Sequence, residues 1–249
     1  IFARAGGWGE PLKIVGAPPT RGVVRTLDPV KWAEIQKLQK GTHVMSRIHK
    51  PAEDLIVYLL YDLEWLGADH VSVLTYALAA VAAYLMATGS LAPALILAIV
   101  VGVLDGVDGK LARLRRRPTL IGKLEHSFDM LYEQSWYAAF TWWAWSSTGD
   151  PTYVALGLAW LILDSLVRHV YNVTWIATGR SLKYHPGPAR IVTKVDGRRS
   201  VYVLHMVAWY LVGAPLMAFY TILAHCGATA AAYLALSFRA MREAGVRPS

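Results

Sequence analysis

Four carboxylates stand in two pairs along one stretch of the chain: Asp105 with Asp108, then Glu125 with Asp129. The first pair is separated by three positions and the second by four, so each shares one face of its own helix. The connection over residues 114–121 is short and basic, which makes the two helices antiparallel neighbours and draws the four acids together. Both pairs lie at the edge of strongly apolar sequence. A carboxylate in a membrane helix costs roughly 2.5–3.5 kcal/mol at the bilayer centre and less near the edge. Mutual repulsion adds to that cost, so a cation must compensate. Hard carboxylate oxygens favour Mg2+ or Mn2+, and two such ions suit displacement at phosphorus, where attacking and leaving oxygens are held together. Gly109 lets a bulky ligand approach the backbone closely. Helix-end carboxylates paired with the neighbouring arginines are the plain alternative, and the repeated spacing on two adjacent helices argues against it.

The elements that must position these residues are membrane helices. Of 249 residues, 55% are hydrophobic and 17% charged, with a mean hydropathy of +0.35; a soluble domain carries about a quarter charged residues. The apolar residues fall in blocks near the roughly 20-residue length that crosses a bilayer. The pattern predicts an all-α, polytopic membrane protein with six transmembrane helices. Four lie near residues 71–88, 91–111, 124–145 and 152–177. The run 201–241 supplies two more, divided between Gly213 and Cys226. Thr88, Gly89, Ser90 and Pro93 break the chain clearly, as does the stretch 146–151. Ahead of the spans, residues 47–66 place Leu55, Ile56, Tyr58, Leu59, Leu60, Leu63 and Leu66 at helical spacing. This is a juxtamembrane amphipathic helix along the membrane surface, or else an ordinary packing helix. Residues 1–46 form a soluble N-terminal arm of no legible role, ending in a short polar helical pattern over 28–39, and residues 47–249 form the membrane domain. The first forty residues show no apolar run of the signal-peptide kind, and Ile1 in place of Met leads one to expect residues before it. The single Cys226 excludes an internal disulfide and a Cys-based metal site.

Charge orients the spans. With the N-terminus inside, every Lys and Arg of the 25 except Arg168 lies on one side, and the opposite turns hold only Asp150. That is the positive-inside rule. It predicts a multi-pass protein of the cell membrane with both termini and the carboxylates on the cytoplasmic side. The net charge of +8 therefore reports orientation and contact with anionic lipid headgroups, not nucleic acid.

The run Asp105-Gly-Val-Asp108-Gly109-Lys-Leu-Ala112-Arg113, followed by Gly122-Lys-Leu-Glu125-His-Ser-Phe-Asp129, resembles the signature of the CDP-alcohol phosphotransferases, Asp-x2-Asp-Gly-x2-Ala-Arg-x8-Gly-x3-Asp-x3-Asp. Asp105, Asp108, Gly109, Ala112, Arg113 and Gly122 fall in register, and the resemblance covers the chain from about residue 47 onward. The last two signature carboxylates would fall on His126 and Met130. Glu125 and Asp129 stand one position earlier with their mutual spacing intact, so a one-residue shortening after Gly122 restores the face; His126 is the alternative ligand. The resemblance implies two divalent ions held by Asp105, Asp108, Glu125 and Asp129 on the pyrophosphate of a CDP-alcohol donor. It implies Asp129 as the general base toward the acceptor hydroxyl, release of CMP, and a homodimer. Gly109, Lys110, Ala112, Arg113 and Gly122 would then lie against the substrate.

Three more cations bear on the acceptor. Arg168 is one turn from Asp164 in the fourth span, with Glu133 as a second partner; such a group is a functional candidate or half of a structural ion pair. Arg198 and Arg199 open the fifth span and suit phosphate recognition, or anchor the helix at the headgroups. If the three form a phosphate pocket, the polar alcohol acceptor is itself a phosphate ester such as inositol phosphate. That resembles the branch of the family making phosphatidylinositol phosphate, its archaeal ether-lipid counterpart or di-inositol phosphate; the variant Glu125-His-x2-Asp129 is most similar to the di-inositol phosphate type, for which the donor is CDP-inositol in place of a CDP-lipid. A phospholipid synthase using CDP-diacylglycerol is the alternative within the class. From other classes, a transporter would show inverted repeats and mid-membrane breaks, which the sequence lacks. A non-catalytic scaffold would have no reason to keep four carboxylates so placed.

Overall fold

The computed structural model describes residues 28–39, 41–116 and 120–245, apart from the side chains of Leu120, Lys123 and Glu125. Regular structure among the described residues is entirely helical: α1 (Pro29–Lys37), α2 (Val44–Leu60), α3 (Ala68–Ala87), α4 (Leu91–Arg115), α5 (Leu120–Thr148), α6 (Thr152–Thr178), α7 (Pro188–Val192), α8 (Arg199–Leu211) and α9 (Met217–Glu243), with a 3-10 turn at Leu182–Tyr184.

The predicted breaks are where the helices end. Gly89 closes α3 at φ +84°, with Ser90 N–H donating to Leu85 O at 2.9 Å. Gly213, at φ +80°, turns the chain between α8 and α9, at the N-terminal limit of the predicted window. Among the described residues, α3, α4, α6 and α9 are long and apolar enough to cross a membrane. The other two predicted spans correspond to α5 and α8. The first half of α5 carries Glu125, Asp129 and Glu133, which dilutes its apolar character. The 13 residues of α8 extend about 20 Å at 1.5 Å per residue, short of the roughly 30 Å hydrocarbon core.

An aromatic centre holds the bundle together. Trp136, Tyr137 and Phe140 of α5 are buried against Trp160 of α6, Tyr202 of α8 and Phe219 of α9. Tyr137 stacks on Trp160 at 4.2 Å and Phe140 on Phe219 at 4.9 Å between ring centroids. Trp136 Nε1–H donates to Ala79 O at 2.8 Å, tying α5 to α3.

The juxtamembrane helix α2 begins and ends earlier than residues 47–66. Arg115 of α4 fastens the chain at and just past its end by donating to the carbonyls of Leu60, Leu63, Glu64 and Leu66. Its inward face is mixed: Glu53 and Asp54 are buried along with Met45 and Val57, while Ile48, Leu55 and Leu59 are exposed. An outward apolar face on a helix beside membrane spans suits a lipid surface. The last part of the N-terminal arm packs on it. Asp28 caps α1 by accepting from Val30 N–H at 2.9 Å, Ile35 joins the apolar cluster with Val57, Val107 and Leu111, and Tyr61 donates to Glu34 at 2.6 Å.

Candidate active site

A cleft of about 360 Å³ opens at the end of the bundle where α4 finishes and α8 begins. One wall is α4, which presents Gly102, Asp105, Gly106, Gly109 and Arg113. The facing wall comes from the arm and α2, through Gln39, His43, Ser46, His49 and Glu53; Lys183, Arg198, Arg199 and Ser200 close the third side, and His126 of α5 reaches it as well.

Three of the four sequence-predicted carboxylates are described. Asp105 borders the cleft and accepts from Arg199 Nη2–H at 2.7 Å. Asp108 is buried one turn on, its Oδ2 accepting from Ser72 Oγ–H at 2.6 Å. Asp129 is buried on α5, and Asp105, Asp129 and Asp108 all act electrostatically on the Arg199 guanidinium. The fourth, Glu125, has its side chain outside the described residues. Among the described residues, no three His, Cys, Asp or Glu side chains stand close enough together to hold a metal ion. The acids are grouped around an arginine instead.

The other predicted substrate contacts divide. Gly109, Arg113, Arg198 and Arg199 line the cleft, with Arg113 Nε–H donating to Leu38 O at 2.9 Å. Ala112 packs with the apolar cluster between α2 and α4, and Gly122 is exposed on the first turn of α5. Arg168 does not border the cleft: it pairs with Asp164 at 2.7 Å and also with Glu133, so both partners weighed from the sequence are engaged at once. Arg199 is buried and held by Asp105 and, at 3.3 Å, by Glu133, whereas the Arg198 side chain is 44% exposed. The three arginines therefore do not form one pocket. Arg198 and Lys183 line both the cleft and the smaller pocket beside it.

Arg198 is positioned by Asp196, whose Oδ2 accepts from both Arg198 Nη2–H and Tyr233 O–H at 2.5 Å. Burial alone would raise the Asp196 carboxyl. His43, 3.3 Å away, the Arg198 guanidinium and the Tyr233 hydroxyl more than offset that and hold it below its ordinary range. His43 also caps α2, its Nδ1 accepting from Met45 N–H at 3.1 Å, so the proton of the neutral ring lies on Nε2 toward Asp196. Burial keeps the His49 imidazole below its usual value and Arg199 adds to the effect, so His49 faces the cleft uncharged at neutral pH.

A family model for the CDP-alcohol phosphatidyltransferases matches residues 65–231, well over half of the 249. The chain belongs to that family. No curated protein matches it. CDP-alcohol phosphatidyltransferases are transferases of substituted phosphate groups, and this chain is an enzyme of that kind, embedded in a membrane, with a CDP-alcohol donor and an alcohol acceptor. The family is generally dependent on divalent metal ions. Asp105 and Asp108 offer hard oxygens of the kind that such an ion takes, and the buried Arg199 that bonds Asp105 supplies a positive charge among the acids.

Lys110 is placed elsewhere than against a substrate. Its ammonium is 1% exposed and bonds Glu53 Oε2 at 2.8 Å and Asp54 Oδ1 at 2.5 Å, making the bolt that fastens α2 to α4. A lysine inside an apolar helix must meet a counter-charge, and Glu53 and Asp54 point inward for that reason. Gly106 makes room for them, since a Cβ there would come within 2.3 Å of the Glu53 carboxyl carbon. Gly106→Ala is expected to destabilise the fold by about 1–3 kcal/mol, read as a lower thermal midpoint in detergent. The residues that sequence reasoning missed, from Gln39 to Glu53 and Lys183, lie on segments without a chemical motif. Lys110 itself was the available signal for the first group.

Proposed function

We propose that this enzyme transfers a substituted phosphate group from a CDP-alcohol to the hydroxyl of a phosphorylated polar alcohol such as inositol phosphate, with release of CMP. The observation that carries this reading is the division of the cleft. Asp105 lies on the α4 wall, and Lys183 with the partly exposed side chain of Arg198 lies on the third side of the same cleft.

In the proposed mechanism Asp105, Asp108, Glu125 and Asp129 hold one or two divalent ions, Mg2+ or Mn2+. The ions when bound neutralise the pyrophosphate and make phosphorus easier to attack. Gly109 lets the donor approach α4, and Arg113 supports its phosphates. Asp129 takes the acceptor hydroxyl proton. Lys183 and Arg198 receive the acceptor's phosphate, each charge-assisted hydrogen bond contributing about 1.5–3 kcal/mol. Arg168 is left to the structural role that its two carboxylates give it. The cleft, both termini and the basic loops lie on the cytoplasmic side by the positive-inside rule, and a homodimer is the proposed assembly.

The test is a screen of purified protein with labelled CDP-lipid and CDP-inositol against glycerol phosphate, free inositol and inositol phosphate. CMP release dependent on inositol phosphate is expected. Turnover with unphosphorylated inositol alone would overturn the acceptor assignment. If the assignment is right, Arg198→Ala raises the acceptor KM and leaves the donor KM nearly unchanged.

The register after Gly122 has its own test. Glu125→Gln is expected to cost about a hundredfold or more in kcat, and His126→Ala less than about tenfold. The reverse order would make His126 the ligand, a position that its place on the cleft wall allows.

A further inference from the structure

Arg199 stands where the acidic site meets a second, internal set of charges. Its Nη2 donates to Asp105 Oδ2 at 2.7 Å, its Nη1 lies 3.3 Å from Glu133 Oε1, and its guanidinium covers the Tyr132 ring at 5.1 Å. Glu133 in turn pairs with Arg168, which holds Asp164 at 2.7 Å. Asp105, Arg199, Glu133, Arg168 and Asp164 thus alternate in sign across α4, α8, α5 and α6. Arg199 is nearly buried, and neither its Nε nor its Nη1 has a hydrogen-bond partner among the described residues, so one hydrogen bond to Asp105, the ion pair with Glu133 and one ring face hold the guanidinium.

The guanidinium takes one acceptor site of the Asp105 carboxylate, at Oδ2, and its charge repels a divalent ion brought to the remaining oxygen sites. We infer that Arg199 is the built-in counter-ion of the acidic site. It competes with the divalent ion for Asp105, and Glu133 retains it when the ion takes Asp105. This rests on the metal reading of Asp105 and Asp108 proposed above. Before the ion arrives, Arg199 spares the site an uncompensated buried charge. Once the ion is in place, Arg199 opposes it unless another carboxylate holds the guanidinium, and Glu133 is already in contact. Metal affinity is therefore set below what the carboxylates alone would give, and it depends on Glu133 through Arg199.

Mn2+ binding to the detergent-solubilised chain, followed by loss of the free-ion EPR signal, tests this without turnover. Arg199→Gln is expected to tighten Mn2+ binding about tenfold or more, and Glu133→Gln to weaken it about tenfold. In the Arg199→Gln background, Glu133→Gln is expected to change affinity by less than about twofold, because the guanidinium it serves is gone. Unchanged or weaker binding by Arg199→Gln overturns the proposal. A Glu133→Gln effect of equal size in both backgrounds also overturns it, since Glu133 would then act as a plain through-space charge. Arg199→Lys keeps the charge without the fork that reaches two carboxylates, so it guards against a misfolded Gln variant; several-fold tighter binding is expected, and unchanged affinity counts against the proposal. If the wild-type chain binds Mn2+ no better than the Asp105→Asn/Asp108→Asn variant, the metal reading itself falls and takes this inference with it.

Discussion

Asparagine at Asp105 or at Asp108 is expected to lower turnover by about two orders of magnitude or more, beyond the 10–100-fold typical of groups that only support a metal ligand. The two variants should differ in stability. In Asp108→Asn the amide oxygen can still accept from Ser72, as the Asp108 carboxylate does at 2.6 Å, so its thermal midpoint should stay near that of the wild type. Asp105→Asn removes the carboxylate that Arg199 donates to and leaves Glu133 at 3.3 Å with the charges of Asp129 and Asp108, and a modest loss of stability should accompany the loss of activity. Donor turnover and circular dichroism on the same preparations separate the two effects. Full turnover in excess EDTA would sink the metal assignment whatever the variants do.

Lys110→Met is expected to be the most damaging single change to the fold. It strands Glu53 and Asp54, two carboxylates at most 4% exposed. Removing one partner of a buried ion pair costs about 3–5 kcal/mol. Lys50, which also pairs with Asp54, and the hydrogen bond from Gln36 at 3.2 Å soften the loss at Asp54 but do nothing for Glu53. Adding Glu53→Gln to Lys110→Met should recover part of the stability, because the stranded charge is gone. A Lys110→Met enzyme with an unchanged thermal midpoint and a raised donor KM would return Lys110 to the substrate side.

The bundle was legible because membrane-length apolar runs allow few arrangements. Gly89 and the stretch before Pro151 end helices wherever the chain is placed, and the three-residue interval from Asp105 to Asp108 fixes their shared face. The orientation of α2 was not legible. Its periodicity shows which residues travel together, but not whether the polar face meets water or a buried lysine on α4. The two walls facing α4 were beyond reach for a related reason. His43, Asp196 and Tyr233 meet across 37 to 153 positions of sequence, and no local pattern encodes such a contact. Arg198 and Arg199 look equivalent as a dipeptide, yet one is half exposed at the cleft and the other is held inside by two acids. Only packing separates them.

The alternating charges across α4, α5, α6 and α8 also constrain how the chain enters a membrane. α6 carries Asp164 and Arg168 one turn apart, so it can partition into lipid with its charges already matched. α5 cannot, because Glu133 lacks an opposite charge on its own helix one turn away in either direction, and an isolated ionised group is costly in hydrocarbon. α5 precedes in the chain both helices that neutralise it. Glu133 therefore gains its partner only once α6 supplies Arg168. The site then closes only when α8 brings Arg199, near the end of translation. The charge array is thus completed by late parts of the chain: a chain truncated before α8 would leave Asp105 without its guanidinium.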